Sequence, residues 1–118
     1  MTLPIPNLES FIDRLQAISD RYERVYDVDR SGDWHMIKVQ EEMGELTQAY
    51  LAMTGRSRRA VEGASHDVAM EMADVVCMVL LMARAEGIDL NAAIAEKWLK
   101  WEQIMRDEGA PELLNTHS

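Results

Sequence analysis

Two acidic motifs contain the residues of this chain best suited to chemistry: Glu41-Glu42-x-x-Glu45 and Glu71-x-x-Asp74. Both lie in segments that otherwise have the composition of buried helices. Between Val68 and Ala83, Glu71 and Asp74 are the only charged residues. Because burial of a carboxylate costs several kcal/mol unless its charge is neutralised, the pattern indicates a divalent cation held between two helices.

Helical geometry predicts that these acids converge. Each residue of an α-helix advances about 100° around the axis, so the three glutamates of the first motif occupy one arc beside the apolar stripe. Glu71 and Asp74 are one turn apart, and antiparallel packing of the two helices would bring four or five carboxylates together. Such hard oxygen ligands suit Mg²⁺ or Mn²⁺. The alternative for the first motif is an ordinary solvated helix face, but an acid pair inside an apolar helix favours function.

Several side chains near the acids have both a functional and a structural interpretation. Lys38 is expected either to contact a phosphate or to form an i,i+4 pair with Glu42. Trp34 is a candidate to stack on a base, although packing is the commoner role for a tryptophan at a helix start. A solvated basic loop is the favoured interpretation of the arginines at 56, 58 and 59. Trp98 and Trp101 are expected in the core or at a subunit interface.

The elements that must position these residues are predicted from apolar side chains recurring at steps of three and four. We predict a single domain, residues 1–118, in which Asn7, Asp33 and Asp89 are expected helix caps. Its helices span about 8–25, 34–53, 66–85 and 90–106, and the tail 109–118 is irregular. The fold class is therefore all-α, a four-helix-type bundle. The third helix is apolar nearly all round, so we expect a homodimer or homotetramer to cover its far side.

Composition excludes several classes of function. The net charge of −9 argues against binding to nucleic acid or to an anionic membrane, since either needs a basic face. The apolar run 68–83 is too short for a membrane span and is interrupted by two acids. A single cysteine, Cys77, and the absence of a secretion signal in residues 1–7 predict a cytoplasmic protein.

The two acidic motifs and their spacing resemble the MazG-like all-α nucleoside triphosphate pyrophosphohydrolases. The similarity runs through KVQEEMGELTQAYLAMTG (38–55), VAMEMADVVCMVLLMARAEGIDL (68–90) and EKWLKWE (96–102), over half of the chain. It implies a MazG-like helical fold. It also implies Mg²⁺-dependent cleavage of a nucleoside triphosphate between its α- and β-phosphates, which gives the monophosphate and pyrophosphate and serves nucleotide-pool house-cleaning.

The same resemblance implies roles for individual residues. The implied metal ligands are Glu42, Glu45, Glu71 and Asp74. Glu41 would be an additional ligand or the catalytic base that orients the attacking water. Lys97 and Lys100 stand where many relatives have a phosphate-binding lysine motif, and Trp101 stands where such relatives often have asparagine.

Two other classes of protein compete with the hydrolase. A di-iron or di-manganese carboxylate bundle requires Glu-x-x-His on two helices, and this sequence contains none. The second is a non-enzymatic helical oligomer that binds nucleotides or a partner protein. The presence of all five acids disfavours a lost active site and so favours the enzyme.

Overall fold

The computed structural model describes residues 7–109, and this part of the chain is helical with no strand. This confirms the all-α class. Its elements are α1 (Leu8–Tyr26), α2 (Trp34–Met53), α3 (Ala64–Ala85), α4 (Leu90–Ile94), a π-helical segment (Ala95–Leu99) and α5 (Lys100–Asp107). The last three follow one another without a break and form the predicted C-terminal helix. The predicted tail beyond residue 109 lies outside the described residues.

Only one of the three expected caps forms. The Asp89 carboxylate accepts a hydrogen bond from the Ala92 backbone N–H at 3.0 Å, whereas the side chains of Asn7 and Asp33 make no capping bond. Asn7 has φ 63°, the left-handed conformation rather than the extended one from which a capping side chain reaches the first turn. α3 begins two residues before the predicted position 66 because Gly63, at φ 79°, starts its first turn.

Helices α2 and α3 form the most extensive interhelical contact in the described region. The connection 54–63 reverses the chain between them, so they pack as an antiparallel pair. Half of the buried residues on each of these helices are alanines, and short side chains let two helix backbones approach closely. They are Ala49 and Ala52 on α2 and Ala64 and Ala83 on α3.

Helix α1 packs across α3 through a small apolar cluster. Leu8, Ile12 and Leu80 are its buried members. Leu15, Leu90 and Ile94 pack against them, so α4 also touches this cluster. Arg84 of α3 adds ion pairs to Asp13 (2.6 Å) and Glu9 (2.9 Å) of α1, which are partly exposed and therefore stabilise only modestly.

The C-terminal helix does not close a four-helix bundle within one chain. The π-helical segment and α5 make no extensive contact with α1, α2 or α3. Trp98 and Trp101 are 69% and 53% exposed, so of the two expected positions, core or subunit interface, the core of a single chain is excluded. The radius of gyration is 18.0 Å, against roughly 13–14 Å for a compact domain of this length.

Within residues 7–109, no helix combines the length and the apolar composition that crossing a membrane requires.

Candidate metal centre

Three of the four predicted ligands come together between α2 and α3. One carboxylate oxygen from each of Glu42, Glu45 and Glu71 lies within 4.8 Å of the others. Glu42 and Glu45 are nearly one turn apart on α2, and Glu71 faces them from α3. Glu42 is buried, Glu71 is half-buried and Glu45 is exposed, so the cluster is anchored in the protein on one side and reachable from solvent on the other.

Two oxygens of this carboxylate cluster lack a partner. Glu42 Oε2 and Glu71 Oε2 are buried, and no atom of the described residues donates a hydrogen bond to either. A buried polar atom left in this state carries the desolvation cost of the group. A cation coordinated between the helices would remove that cost, and the carboxylate donors fit Mg²⁺ or Mn²⁺.

The electrostatics of the cluster point the same way. Burial raises the pKa of Glu42 to about 7, and the neighbouring carboxyl of Glu45 and the charge of Asp74 add to the rise. Burial also raises the pKa of Glu71, followed by the charges of Glu45 and Asp74, while Arg59 partly offsets the rise. Without a cation these carboxylates repel one another and hold protons that isolated glutamates would have lost.

Asp74, the fourth predicted ligand, stands beside the cluster rather than inside it. Its side chain is exposed and lines the adjoining cleft together with Glu42. Its charge acts on both Glu42 and Glu71. Asp74 therefore contributes to the negative field of the centre.

Lys38 and Glu41 form an ion pair at the edge of the centre. Lys38 Nζ lies 3.1 Å from Glu41 Oε1 and 3.8 Å from Glu42 Oε1, so the predicted i,i+4 pair is present. Burial lowers the pKa of Lys38, but the hydrogen bond to Glu41 and the nearby carboxylates outweigh it and leave that pKa raised. Glu41 is 53% exposed and lies outside the carboxylate cluster, so its catalytic role stays a prediction.

A cleft of about 370 Å³ adjoins the cluster and shares Glu42 with it. Three helices line it: Leu15, Ile18, Ser19 and Tyr22 from α1, Trp34, Lys38 and Glu42 from α2, and Asp74, Cys77, Met78 and Leu81 from α3. Lys38 Nζ lies 6.0 Å from the centre of the Trp34 ring, within cation–π range. Apolar and aromatic walls with a few charged groups are typical of small-molecule sites.

The remaining predicted contacts are elsewhere. Lys97 and Lys100 are exposed on the C-terminal helix and do not line the cleft. Lys97 lies in the π-helical segment, and Lys100 Nζ is 5.7 Å from the Trp101 ring centre. Of the basic loop, Arg59 pairs at 3.9 Å with Asp67.

The sequence did not identify Ser19, Tyr22 and Cys77 as cleft residues, nor the half-buried Arg30 as the partner of Ser19. The helical periodicity of α1 could have identified two of them, because Ser19 and Tyr22 fall on the same helical face as the apolar Leu15. The connection 27–33 contained no such signal, since a polar turn-rich segment does not predict which of its side chains packs inward.

Comparison with family models, with characterised proteins and with solved structures finds no match to this chain.

Proposed function

We propose that this protein is a Mg²⁺-dependent nucleoside triphosphate pyrophosphohydrolase of the MazG-like type, with Mn²⁺ as a substitute ion. The reaction is the hydrolysis of an NTP or dNTP to its monophosphate and pyrophosphate. The observation that carries the proposal is the carboxylate cluster with its two unpartnered oxygens beside an aromatic cleft that shares Glu42.

The metal ligands in this proposal are Glu42, Glu45 and Glu71, with Asp74 as the fourth. Bound there, Mg²⁺ would neutralise phosphate oxygens and lower the pKa of the water that attacks phosphorus. The protein's part is to hold several carboxylates close together, and their mutual repulsion makes the folded chain receptive to a cation. Glu41, at the exposed edge, is the proposed base that orients the water.

Lys38 and Trp34 are the proposed substrate contacts on α2. Lys38 is close to the cluster and lines the cleft, which supports a role in contacting a phosphate oxygen once the cation has taken up the charge of Glu42. The Trp34 ring, in the same cleft, offers an apolar face on which a base can stack. Lys97 and Lys100, exposed and remote from the cleft in a single chain, require a second chain to act on the substrate.

Pyrophosphate release tests the reaction. A panel of canonical and modified NTPs and dNTPs is incubated with Mg²⁺, Mn²⁺ or EDTA, and monophosphate and pyrophosphate are measured separately. We expect equal amounts of both products, with release abolished by EDTA. Orthophosphate as the only inorganic product would contradict cleavage between the α- and β-phosphates. No release from any nucleotide would contradict the enzyme and favour a nucleotide- or protein-binding oligomer.

We also propose a homodimer or homotetramer. The exposed apolar side chains support it, above all Trp98 (69%) and Trp101 (53%) on the C-terminal helix and Val76 (55%) on α3. Exposed apolar surface of this extent is characteristic of association.

Light scattering on a sizing column tests the assembly. We expect a mass two or four times the 13.5 kDa of the chain. Trp98→Ser should shift the equilibrium toward smaller species, because it removes a large exposed apolar side chain, whereas Glu108→Gln on the same exposed helix should not. A monomeric wild-type protein at micromolar concentration would contradict the assembly.

A further inference from the structure

Ser19 is a buried hydroxyl in an otherwise uncharged wall of the cleft. It is 9% exposed and lines the cleft on α1 with Leu15, Ile18 and Tyr22. The charged side chains of the cleft come from α2 and α3 instead. The α1 wall therefore suits the uncharged part of a ligand better than its phosphates.

One of the two acceptor lone pairs of the Ser19 hydroxyl is occupied, and its donor role is open. Arg30 Nη1 donates a hydrogen bond to Ser19 Oγ at 2.7 Å, and a guanidinium can only donate. Within residues 7–109, no atom accepts the Ser19 proton. Even the carbonyl of Leu15, four residues earlier and a common acceptor for helical serines, does not. The proton is thus available to a ligand.

Arg30 itself is held firmly. Its Nη2 donates to Asp20 Oδ1 and to Glu23 Oε1, both at 2.9 Å, and its side chain is 14% exposed. Together with Ser19 these acceptors lie on α1, so Arg30 binds the connection 27–33 to that helix. Because Arg30 occupies one side of the Ser19 oxygen, the hydroxyl proton is directed to the remaining sides.

A single donor in an apolar wall selects between ligands. A ligand that presents an acceptor to Ser19 gains a hydrogen bond from its hydroxyl proton. One that presents a donor or an apolar edge leaves that proton unpaired in a desolvated place. Nucleobases differ from one another in this respect, because their edges carry carbonyl oxygens, unprotonated ring nitrogens and amino groups in different orders.

We infer that Ser19 is a specificity-determining residue whose hydroxyl donates a hydrogen bond to an acceptor atom of the nucleobase. Arg30 is the positioning residue that holds the Ser19 oxygen. The inference rests on the proposed function, since it takes a nucleoside triphosphate as the ligand of the cleft.

Calorimetric binding of dATP, dCTP, dGTP and dTTP tests it, with Ca²⁺ in place of Mg²⁺ so that binding is measured separately from turnover. Ser19→Ala should weaken the tightest-bound nucleotide by about 3- to 10-fold, the value of one neutral hydrogen bond. It should weaken the others less, so that the ranking compresses. Ser19→Thr keeps a hydroxyl and should retain the ranking. Ser65→Ala, at an exposed serine of α3, is the matched control.

Arg30→Lys provides the second arm, because lysine keeps the charge but loses the fork that reaches Ser19, Asp20 and Glu23 together. We expect it to compress the ranking in the same direction as Ser19→Ala, whereas a purely structural role would weaken all four nucleotides equally. If Ser19→Ala does not fold, the Arg30→Lys ranking decides. Equal weakening of all four nucleotides, or no difference from Ser65→Ala, overturns this inference and leaves the proposed function standing. A wild-type protein that binds none of the four overturns this inference, and the proposed function falls with it only if no nucleotide of the hydrolysis panel is cleaved.

Discussion

Replacing Glu45 with glutamine is expected to lower metal-dependent nucleotide turnover by at least about 100-fold, since one anionic ligand of a catalytic cation accounts for several kcal/mol of transition-state stabilisation. The carboxylate of Glu45 lies within 4.8 Å of those of Glu42 and Glu71. Its side chain is exposed, so the amide should leave the packing of α2 on α3 unchanged. Turnover is measured by pyrophosphate release at saturating Mg²⁺, and folding by circular dichroism.

Two further variants make this result specific. Asp74→Asn should also abolish turnover, because its charge contributes to the field at Glu42 and Glu71. Glu108→Gln makes the same change of charge at the exposed end of the C-terminal helix and should retain wild-type activity. Near-wild-type turnover of the Glu45→Gln protein would contradict the metal-ligand assignment.

The helices could be predicted closely because their boundaries are local. Apolar periodicity and the flanking turns predicted α2 at 34–53 and α1 at 8–25, and the structure has Trp34–Met53 and Leu8–Tyr26. The predicted start of α3 at 66 is two residues late, because the helix starts from the left-handed Gly63 rather than from a polar capping residue. The π-helical segment Ala95–Leu99 has no periodic signature, since a single wide turn leaves the overall stripe almost unchanged.

The centre of the site was predictable for the same reason. Glu42 and Glu45 share a helix face by spacing alone, and an antiparallel partner brings Glu71 opposite them. Helical spacing also predicts that Glu42 lies nearest the apolar stripe of α2 and Glu41 farthest from it, and in the structure Glu42 is buried while Glu41 is exposed. Spacing could not decide that Asp74 would stand beside the carboxylate cluster rather than inside it, because that depends on the rotation of α3 against α2.

The positions of Lys97, Lys100 and Arg30 depend on how the C-terminal helix and the connection 27–33 run through space, and local sequence patterns do not predict this. Lys97 and Lys100 lie on the C-terminal helix. Leu90 and Ile94 anchor one end of this helix, and its other end makes no extensive contact with α1, α2 or α3. Arg30 reaches Ser19 because the connection 27–33 folds back along α1. The periodicity of apolar residues predicts where helices lie and which residues share a helix face. The rotation of each helix against its neighbour and the path of each loop are set by packing.

Glu42 makes the stability of the metal-free protein fall as the pH rises. Its pKa is about 7 in the folded chain against the ordinary glutamate value of 4.5. Between these values the folded state binds more protons than the unfolded state, so stability decreases with pH. Below about pH 4.5 the carboxyl is protonated in both states and contributes no penalty, and above about pH 7 the penalty is complete. Because the side chain is only 12% exposed, we expect a difference on the order of 1–3 kcal/mol.

Thermal unfolding of the wild-type and Glu42→Gln proteins in EDTA from pH 5 to pH 8 measures this difference. Other groups titrate in both proteins, so the gap between the two melting temperatures isolates Glu42. We expect the gap to change in favour of Glu42→Gln as the pH rises, by roughly 5–10 °C for a chain of this size. Glu108→Gln should follow the wild-type curve, and a gap that is independent of pH would show that Glu42 titrates normally.

Mg²⁺ should reverse the trend, and the reversal separates a metal site from an accidental acid cluster. A cation binds the ionised carboxylate, so the affinity for Mg²⁺ should fall by up to tenfold per pH unit below about pH 7. The stabilisation that Mg²⁺ gives the wild-type protein should therefore grow as the pH rises toward 8. Glu42→Gln should be the more stable protein in EDTA and the less responsive one in Mg²⁺. If both proteins gain equally from Mg²⁺, the ion binds elsewhere on this acidic chain. If Mg²⁺ stabilises only the wild-type protein, Glu42 is a ligand of the cation, and metal binding offsets the destabilisation that its buried charge causes.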